Sequence, residues 1–188
     1  MLSRSILSAL SFYFYLGVAS AASHPTVYLI RHAEKPENPH EHHGLAPDGT
    51  IRAQCLRHVF GTGSGYDIGY LMAPHVASNG EHGRAYLTVL PLAGDLGLTV
   101  DTHCKRNNVT CVAETVRSYD GPGNILISWR HGKMDEIELE LGALKPIGYP
   151  DDRYDIIWTD PWPYGNVTDI RSEECPGLDV QPGLVDQA

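Results

Sequence analysis

The chain has 188 residues and a mass of 20.7 kDa, which is the size of one domain. Its residues are 42% hydrophobic and 20% charged, an ordinary globular composition that excludes collagen-like, disordered and coiled-coil chains. The 14 Lys and Arg against 23 Asp and Glu give a formal net charge of −9, which disfavours general nucleic-acid binding. Any anion that this chain binds must therefore be held by a local cluster of cations.

The first 21 residues have the layout of a secretory signal peptide. Arg4 supplies a positive charge, an apolar segment follows over Ile6–Val18, and Ala19-Ser20-Ala21 is a small-residue cleavage site. The apolar segment is shorter than the roughly 20 residues that cross a bilayer. We therefore expect cleavage after Ala21, which leaves residues 22–188 as one secreted, extracellular domain with no membrane contact.

The four cysteines suit an oxidising compartment. Cys104 and Cys111 lie seven residues apart in a polar segment and could close a small loop, so that Cys55 and Cys175 would pair across the chain. Three pairings are possible, and this one is favoured. No C-x-x-C is present, so we expect no metal site. Candidate N-glycosylation sequons of the form N-x-T begin at Asn108 and Asn166.

Predicted strands and helices alternate along the rest of the chain. In chain order they are a strand over Thr26–Ile30, a helix over Gly49–Phe60 capped by Asp48, a strand over Ile68–Ala73, helices over Arg84–Leu98 and Val109–Tyr119, a strand over Asn124–Trp129, a helix over Met134–Leu141 and a strand over Tyr154–Trp158. The segment after Asp160 is predicted to be irregular coil. Such alternation predicts an α/β fold with a mostly parallel sheet covered by helices on both faces.

Helical periodicity also predicts which side chains face the core. In the first helix these are Ile51, Cys55, Leu56 and Val59. In the second helix they are Leu87, Leu90, and Ala93 or Gly94.

Arg and His follow two of the predicted strands. Arg31-His32 comes directly after the first strand, and Arg130-His131-Gly132 follows the strand that ends at Trp129. Loops at the carboxyl ends of such strands converge, and Arg84 opens a helix whose N-terminal N–H groups also attract anions. Arg31, Arg84 and the two His therefore predict a pocket for a phosphate-sized anion. Arg130 is expected to point away from this pocket, because side chains alternate along a strand.

At the sequence R-H-A-E-K-P, residues 31–36, the chain resembles the histidine phosphatase superfamily, also called phosphoglycerate mutase-like. The resemblance extends from about Thr26 to Leu178, and it looks most like the small secreted members found in fungi. The shared segments include G-L and D-G at 44–49, A-Q-C-L at 53–56, T-V-L-P-L-A at 88–93, D-L-G-L-T-V-D at 95–101, G-N-I-L-I at 123–127 and C-P-G-L at 175–178. The fold that this resemblance implies is a three-layer α/β/α sandwich.

The resemblance also implies a reaction and roles for the residues. His32 would be the nucleophile that becomes phosphohistidine, and Arg31, Arg84 and His131 would hold the phosphoryl oxygens. Water would then hydrolyse the phosphohistidine, with no cofactor. The implied partner is a small phosphorylated substrate or phosphate.

Relatives of this type usually carry Glu before the second histidine and an acidic or similarly polar residue after it, where this chain has Arg130 and Gly132. In several branches, Asp directly after this histidine protonates the leaving group. The alternative proton donors in this chain are Glu81, His82 and Asp135. The missing acid keeps a second function open, namely a secreted phosphate- or ligand-binding relative with little or no turnover.

Overall fold

Six β-strands form one sheet in the computed structural model, which describes residues 24–38 and 43–179. The predicted signal peptide lies outside the described residues. The elements in chain order are β1 Val27–Arg31, α1 Pro47–Val59, β2 Ile68–Met72, α2 Arg84–Leu96, β3 Val100–Asp101, α3 Val109–Ser118, β4 Asn124–Trp129, α4 His131–Leu141, β5 Ile156–Asp160 and β6 Asp169–Ser172.

The strand order is β3-β2-β4-β1-β5-β6. The first four strands in this order are parallel, β5 runs antiparallel to β1, and β6 runs antiparallel to β5. The mostly parallel sheet predicted from the sequence is therefore confirmed. In the pairing of β1 with β4, Arg31 lies opposite Trp129, which brings the carboxyl ends of these two strands side by side.

Helices cover both faces of the sheet. On one face, Leu56 of α1 and Val89 of α2 belong to a core cluster with Ile30 and Leu126 of the sheet. On the other face, α3 and α4 contribute Val112, Val116, Met134, Ile137 and Leu141 to a second cluster. These two cores make the three-layer α/β/α sandwich. Because the central strands are buried on both sides, they consist of apolar runs without polar alternation.

The predicted inner faces of two helices are wrong in part. Ile51 is 52% exposed, whereas Arg52 is 2% exposed. Arg52 is buried because it forms salt bridges with three carboxylates, which a hydrophobic pattern does not reveal. The predicted cap residue Asp48 lies inside α1, because Pro47 already occupies the first turn. In α2, Leu90 is 40% exposed. The residues of α2 that are buried are Ala85, Thr88, Val89, Leu92 and Ala93.

The sequence predicted irregular coil after Asp160, but this part of the chain contains a strand. Asp169–Ser172 forms β6, an edge strand that pairs with β5. The short strand Val100–Asp101 was also missed, and β5 begins at Ile156 rather than Tyr154. Strands as short as β3 and β6 carry too little periodicity to be recognised, and their pairing partners define them.

Two disulfides link distant and neighbouring parts of the chain. Cys55–Cys175 joins α1 to the C-terminal segment across 120 residues, and Cys104–Cys111 closes a loop of seven at the start of α3. This is the favoured pairing of the sequence analysis.

Both sequon residues, Asn108 and Asn166, are exposed, and Asn108 also accepts a hydrogen bond from the Cys111 N–H as the cap of α3. None of the helices among the described residues is long and apolar enough to cross a membrane.

Candidate functional site

A cavity of about 690 Å³ opens at the carboxyl ends of β1 and β4. Among the described residues that line it, the Arg and Lys residues are Arg31, Lys35, Arg84, Arg106 and Arg130. The histidines that line it are His32, His43, His82 and His131. Glu81 is the one acidic residue in this described lining. A protein with a net charge of −9 therefore concentrates cations in one concave site, as an anion-binding pocket requires.

His32 is held at the end of β1 by the backbone on both sides. The backbone N–H of His32 donates to the Trp129 carbonyl at 2.8 Å. The ring Nδ1 of His32 lies 2.8 Å from the Ala33 carbonyl oxygen. A carbonyl oxygen only accepts, so Nδ1 carries the proton and Nε2 keeps a lone pair. Burial of the ring lowers the pKa of His32 to about 4, and the positive charges of Arg31 and Arg84 add to this effect. The imidazole of His32 is therefore neutral at neutral pH, with an unprotonated Nε2.

Arg31 is fixed by the loop between α4 and β5. Its Nη1 donates to the carbonyl oxygens of Asp151 and Arg153 at 2.7 and 2.6 Å, and its guanidinium stacks over the Tyr154 ring at 3.9 Å. Only 2% of Arg31 is exposed. A guanidinium held in this way is oriented before a ligand arrives, which reduces the entropy lost on binding.

The same loop contacts His131, the first residue of α4. Nε2 of His131 lies 3.0 Å from Oδ1 of Asp151. Burial and the charge of Arg31 lower the pKa of His131, whereas the Asp151 carboxylate opposes that change. Sequence reasoning missed Asp151 because it lies in a loop without a motif, and only the tertiary structure brings it to His131.

Arg84 and Thr88 connect helix α2 to the segment after β1. Arg84, the first residue of α2, lines the cavity and donates from Nε to the Gly44 carbonyl at 3.2 Å. Oγ1 of the buried Thr88 accepts from the Ala33 N–H at 2.9 Å and donates to the Arg84 carbonyl at 2.8 Å. One hydroxyl thus connects the backbones next to His32 and at Arg84.

Two of the three candidate proton donors line the cavity. Glu81 and His82 do so, and His82 adopts a left-handed backbone with φ of 68°, which is uncommon outside glycine. Burial and the charge of Arg106 lower the pKa of His82. Asp135 is not among the lining residues, because its Oδ1 accepts from the Ile147 and Gly148 N–H groups at 2.9 Å each. Its carboxylate supports a loop on the outside of the site.

The expectation for Arg130 is wrong. Arg130 lines the cavity together with His131 and Gly132. The alternation rule fails here because β4 ends at Trp129, and the chain turns directly into α4 with Arg130 as its N-cap. Sequence reasoning also missed Lys35, His43 and Arg106, although Lys35 lies within the R-H-A-E-K-P segment.

Comparisons with known proteins give a likeness of fold. No protein-family model matches the chain, and no curated protein matches it. Among solved structures, it is similar to a candidate phosphohistidine phosphatase, SixA, from Agrobacterium tumefaciens, with a TM-score of 0.56 and 15% identity. The match covers 79% of this chain and 98% of that chain. At this identity the match shows a shared phosphoglycerate mutase-like α/β fold.

Proposed function

We propose that the protein is a phosphatase that hydrolyses phosphomonoesters through a phosphohistidine intermediate on His32. The observation that carries this proposal is the neutral His32, with its Nε2 unprotonated, in a cavity lined by Arg31, Arg84 and His131. The R-H-A-E segment and a fold like that of a candidate phosphohistidine phosphatase support it.

The proposed reaction has two displacements at phosphorus. Nε2 of His32 attacks the phosphorus atom as the ester P–O bond breaks, and the leaving oxygen takes up a proton. Water then attacks the phosphohistidine, and the P–N bond breaks to release phosphate and His32. Arg31 and Arg84 bind the phosphoryl oxygens in both steps, so positioning and charge compensation supply most of the rate.

In this proposal the leaving group lacks a well-placed general acid, since Gly132 has no side chain, and Glu81 and His82 are the alternative donors that line the cavity. Loss of a well-placed general acid typically costs roughly 10² to 10⁴ in rate for leaving groups that need protonation. The enzyme is therefore expected to favour activated esters.

Hydrolysis of 4-nitrophenyl phosphate from pH 4 to 8 tests the proposal. We expect turnover by the wild type, loss of turnover in His32→Ala, and an acid-labile phosphoenzyme on rapid quenching of the wild type only. His58→Ala is the matched control, because His58 is exposed on α1 and does not line the cavity. A His32→Ala variant as active as the wild type would contradict the proposed role of His32 as the nucleophile.

A second candidate function, phosphate binding with little or no turnover, is favoured by two observations at His131. The residue that follows His131 is glycine, and His131 itself contacts Asp151. Absence of turnover with every ester, together with phosphate binding that is lost in Arg31→Ala, would support this function over the phosphatase.

We also propose that the protein is secreted, as the small secreted members of the superfamily are. Two disulfides support an oxidising compartment. N-terminal sequencing of protein from the culture medium should begin at Ala22 or within a residue or two of it. Intact Met1 on secreted material would contradict the signal peptide.

A further inference from the structure

The Cys104–Cys111 disulfide, the loop disulfide, closes a loop that forms one wall of the cavity. Cys104 follows β3, and Cys111 lies in the first turn of α3. Arg106, between the two cysteines, lines the cavity together with His32. The Trp129 indole N–H donates to the Arg106 carbonyl at 3.1 Å, which holds the loop beside the end of β4. A change in this disulfide therefore affects a wall of the cavity.

His103 contacts one sulfur atom of the loop disulfide. Its Nε2 lies 3.3 Å from Sγ of Cys104, and its Nδ1 lies 2.7 Å from Oδ1 of Asp101. The Tyr70 hydroxyl donates to the other carboxylate oxygen of Asp101. Burial of Asp101 opposes ionisation, but the hydrogen bonds from Tyr70 and His103 hold the pKa of this carboxyl below its ordinary value. Asp101 is therefore a carboxylate that orients His103 towards the sulfur.

Both ring nitrogens of His103 face acceptors. The Thr115 hydroxyl donates to the Cys111 carbonyl at 2.8 Å, so the lone pairs of its oxygen remain for Nε2 of His103 at 3.3 Å. This arrangement suits the imidazolium form, in which both nitrogens donate. A positive charge beside a sulfur atom stabilises the thiolate that forms when the disulfide breaks.

The Cys55–Cys175 disulfide has the opposite charge environment. Sγ of Cys175 lies 4.0 Å from Oε2 of Glu173, whose side chain is fully buried. Arg52, the cation beside this carboxylate, is shared among three carboxylates. An excess of negative charge near a sulfur atom disfavours the thiolate there.

Access to solvent does not distinguish the two disulfides. Each joins one buried cysteine, Cys104 or Cys175, to one half-buried cysteine, Cys111 or Cys55. A thiol therefore reaches the half-buried sulfur, and the buried sulfur leaves as a thiolate. Because a stabilised thiolate leaves faster, the charge beside the buried sulfur decides which disulfide is reduced first.

We propose that the loop disulfide is a thiol–disulfide exchange site whose substrate is a small thiol, that His103 stabilises the departing sulfur of Cys104, and that reduction loosens the cavity wall at Arg106. The thiolate of a first thiol bonds to Sγ of Cys111 as the S–S bond breaks and Cys104 leaves as a thiolate. A second thiol attacks the sulfur of the first in this mixed disulfide, which frees Cys111. Two thiols are oxidised to one disulfide as the protein disulfide is reduced, and their two protons pass to Cys104 and Cys111.

Timed reduction of the folded, oxidised protein by glutathione tests the proposal, with iodoacetamide quenching and peptide mapping of each disulfide. At mildly acidic pH the loop disulfide should be reduced about tenfold or more faster than Cys55–Cys175. His103→Gln should remove this difference. His58→Gln is the matched control, because His58 is exposed on α1, the helix that carries Cys55, and it should retain the difference.

The pH dependence separates the charge of His103 from a merely structural role. Asp101 and, through it, Tyr70 are the titratable groups that contact His103 in the described part of the chain. The ratio of the loop-disulfide reduction rate in the wild type to that in His103→Gln cancels the ionisation of glutathione. This ratio should fall towards one as the pH rises and His103 loses its proton. A ratio that does not vary with pH would overturn the role of His103.

Trypsin measures the loosening of the loop, because it cleaves after Lys105 and Arg106. Protein in which the loop disulfide is reduced and Cys55–Cys175 is intact should be cut there about tenfold or more faster than the oxidised protein. Reoxidation with oxidised glutathione should restore the resistance. Cleavage after Arg57 on α1 is the control and should not change with the loop disulfide.

The outcomes distinguish the exchange site from the phosphatase, because only an effect on hydrolysis rests on the proposed function. Equal rates of reduction of the two disulfides, or equal cleavage of the loop before and after reduction, would overturn the proposal. Where esters are hydrolysed, kcat/KM for 4-nitrophenyl phosphate should fall on reduction and recover on reoxidation, and an unchanged kcat/KM would overturn the loosening of the cavity wall. Selective reduction and faster cleavage without hydrolysis in either state would support the exchange site and overturn the phosphatase.

Discussion

Arg52 of α1 binds Glu34, the last residue of R-H-A-E, through Nε and Nη2, with a shortest distance of 2.7 Å. Glu34 is not among the residues that line the cavity. Arg52 also forms salt bridges with Glu173 and Asp179 near the Cys55–Cys175 disulfide. Glu34 therefore anchors the segment after His32 to α1 and to the C-terminal segment.

This anchor predicts a large loss of stability in Arg52→Met. The substitution leaves Glu173, whose side chain is fully buried, without its cation, and breaking a buried pair in this way typically costs about 3–5 kcal/mol. Urea denaturation measures the change in the free energy of unfolding. Arg57→Met is the control, because Arg57 lies on the same helix as Arg52 but forms an exposed pair with Asp95 of α2, and exposed ion pairs contribute little to stability. Equal losses in the free energy of unfolding of the two variants would contradict the anchoring role of Arg52.

Thr88→Val should reduce both stability and activity. Valine has nearly the same shape as threonine, but it leaves the Ala33 N–H buried without an acceptor, at a cost of about 1–3 kcal/mol. It also disconnects the backbone next to His32 from α2, so kcat should fall. Thr88→Ser retains the hydroxyl and should retain most of the activity. Thermal denaturation and steady-state kinetics with 4-nitrophenyl phosphate measure the two effects.

His32 should titrate well below an ordinary histidine. With a pKa of about 4 it is neutral above that pH, so its nucleophilicity is lost only as the pH falls through about 4. An NMR titration of the imidazole signals, assigned with His32→Asn, reports this pKa directly. An apparent pKa near 6.5 would show that burial and the neighbouring arginines do not act on the ring as the structure implies.

Gly132 allows a direct test of whether the site lacks a general acid that protonates the leaving group. Aryl phosphates, whose leaving groups depart without protonation, should be hydrolysed measurably and alkyl phosphates poorly. A Cβ at Gly132 would meet nothing closer than Nη2 of Arg130 at 4.0 Å, so a side chain fits there.

Gly132→Asp should therefore raise the rate for alkyl phosphates by about tenfold or more, with a smaller effect on aryl phosphates. Gly132→Asn is the control with the same shape and no acid. Equal rates for aryl and alkyl esters in the wild type would show that Glu81 or His82 already donates the proton.

The two disulfides should contribute unequally to stability. In the chain-entropy model, a bond across 120 residues stabilises by about 5 kcal/mol and one across seven by about 2 kcal/mol. Cys55→Ala/Cys175→Ala should therefore lower the free energy of unfolding more than Cys104→Ala/Cys111→Ala. Chemical denaturation of both variants measures the difference, and a larger loss in the second variant would contradict this order.

The sequence by itself determined the features that depend on local chemistry. The apolar run Asn124–Trp129, the helix that begins at Arg84 and the Arg-His pair after the first strand were all recognisable, because periodicity and strand-end position act over a few residues. These features were sufficient to predict the mostly parallel sheet and to place Arg31, His32, Arg84 and His131 together.

Only the tertiary structure decided which polar side chains are paired. Arg52 is buried because its partners lie as far as 127 residues away, and Asp151 reaches His131 from a loop without a motif. Arg130 turns into the cavity because β4 ends one residue before it. The free energy of a charged side chain depends on the burial and partners that the whole chain supplies, so no local pattern shows whether it is anchored or available to a ligand.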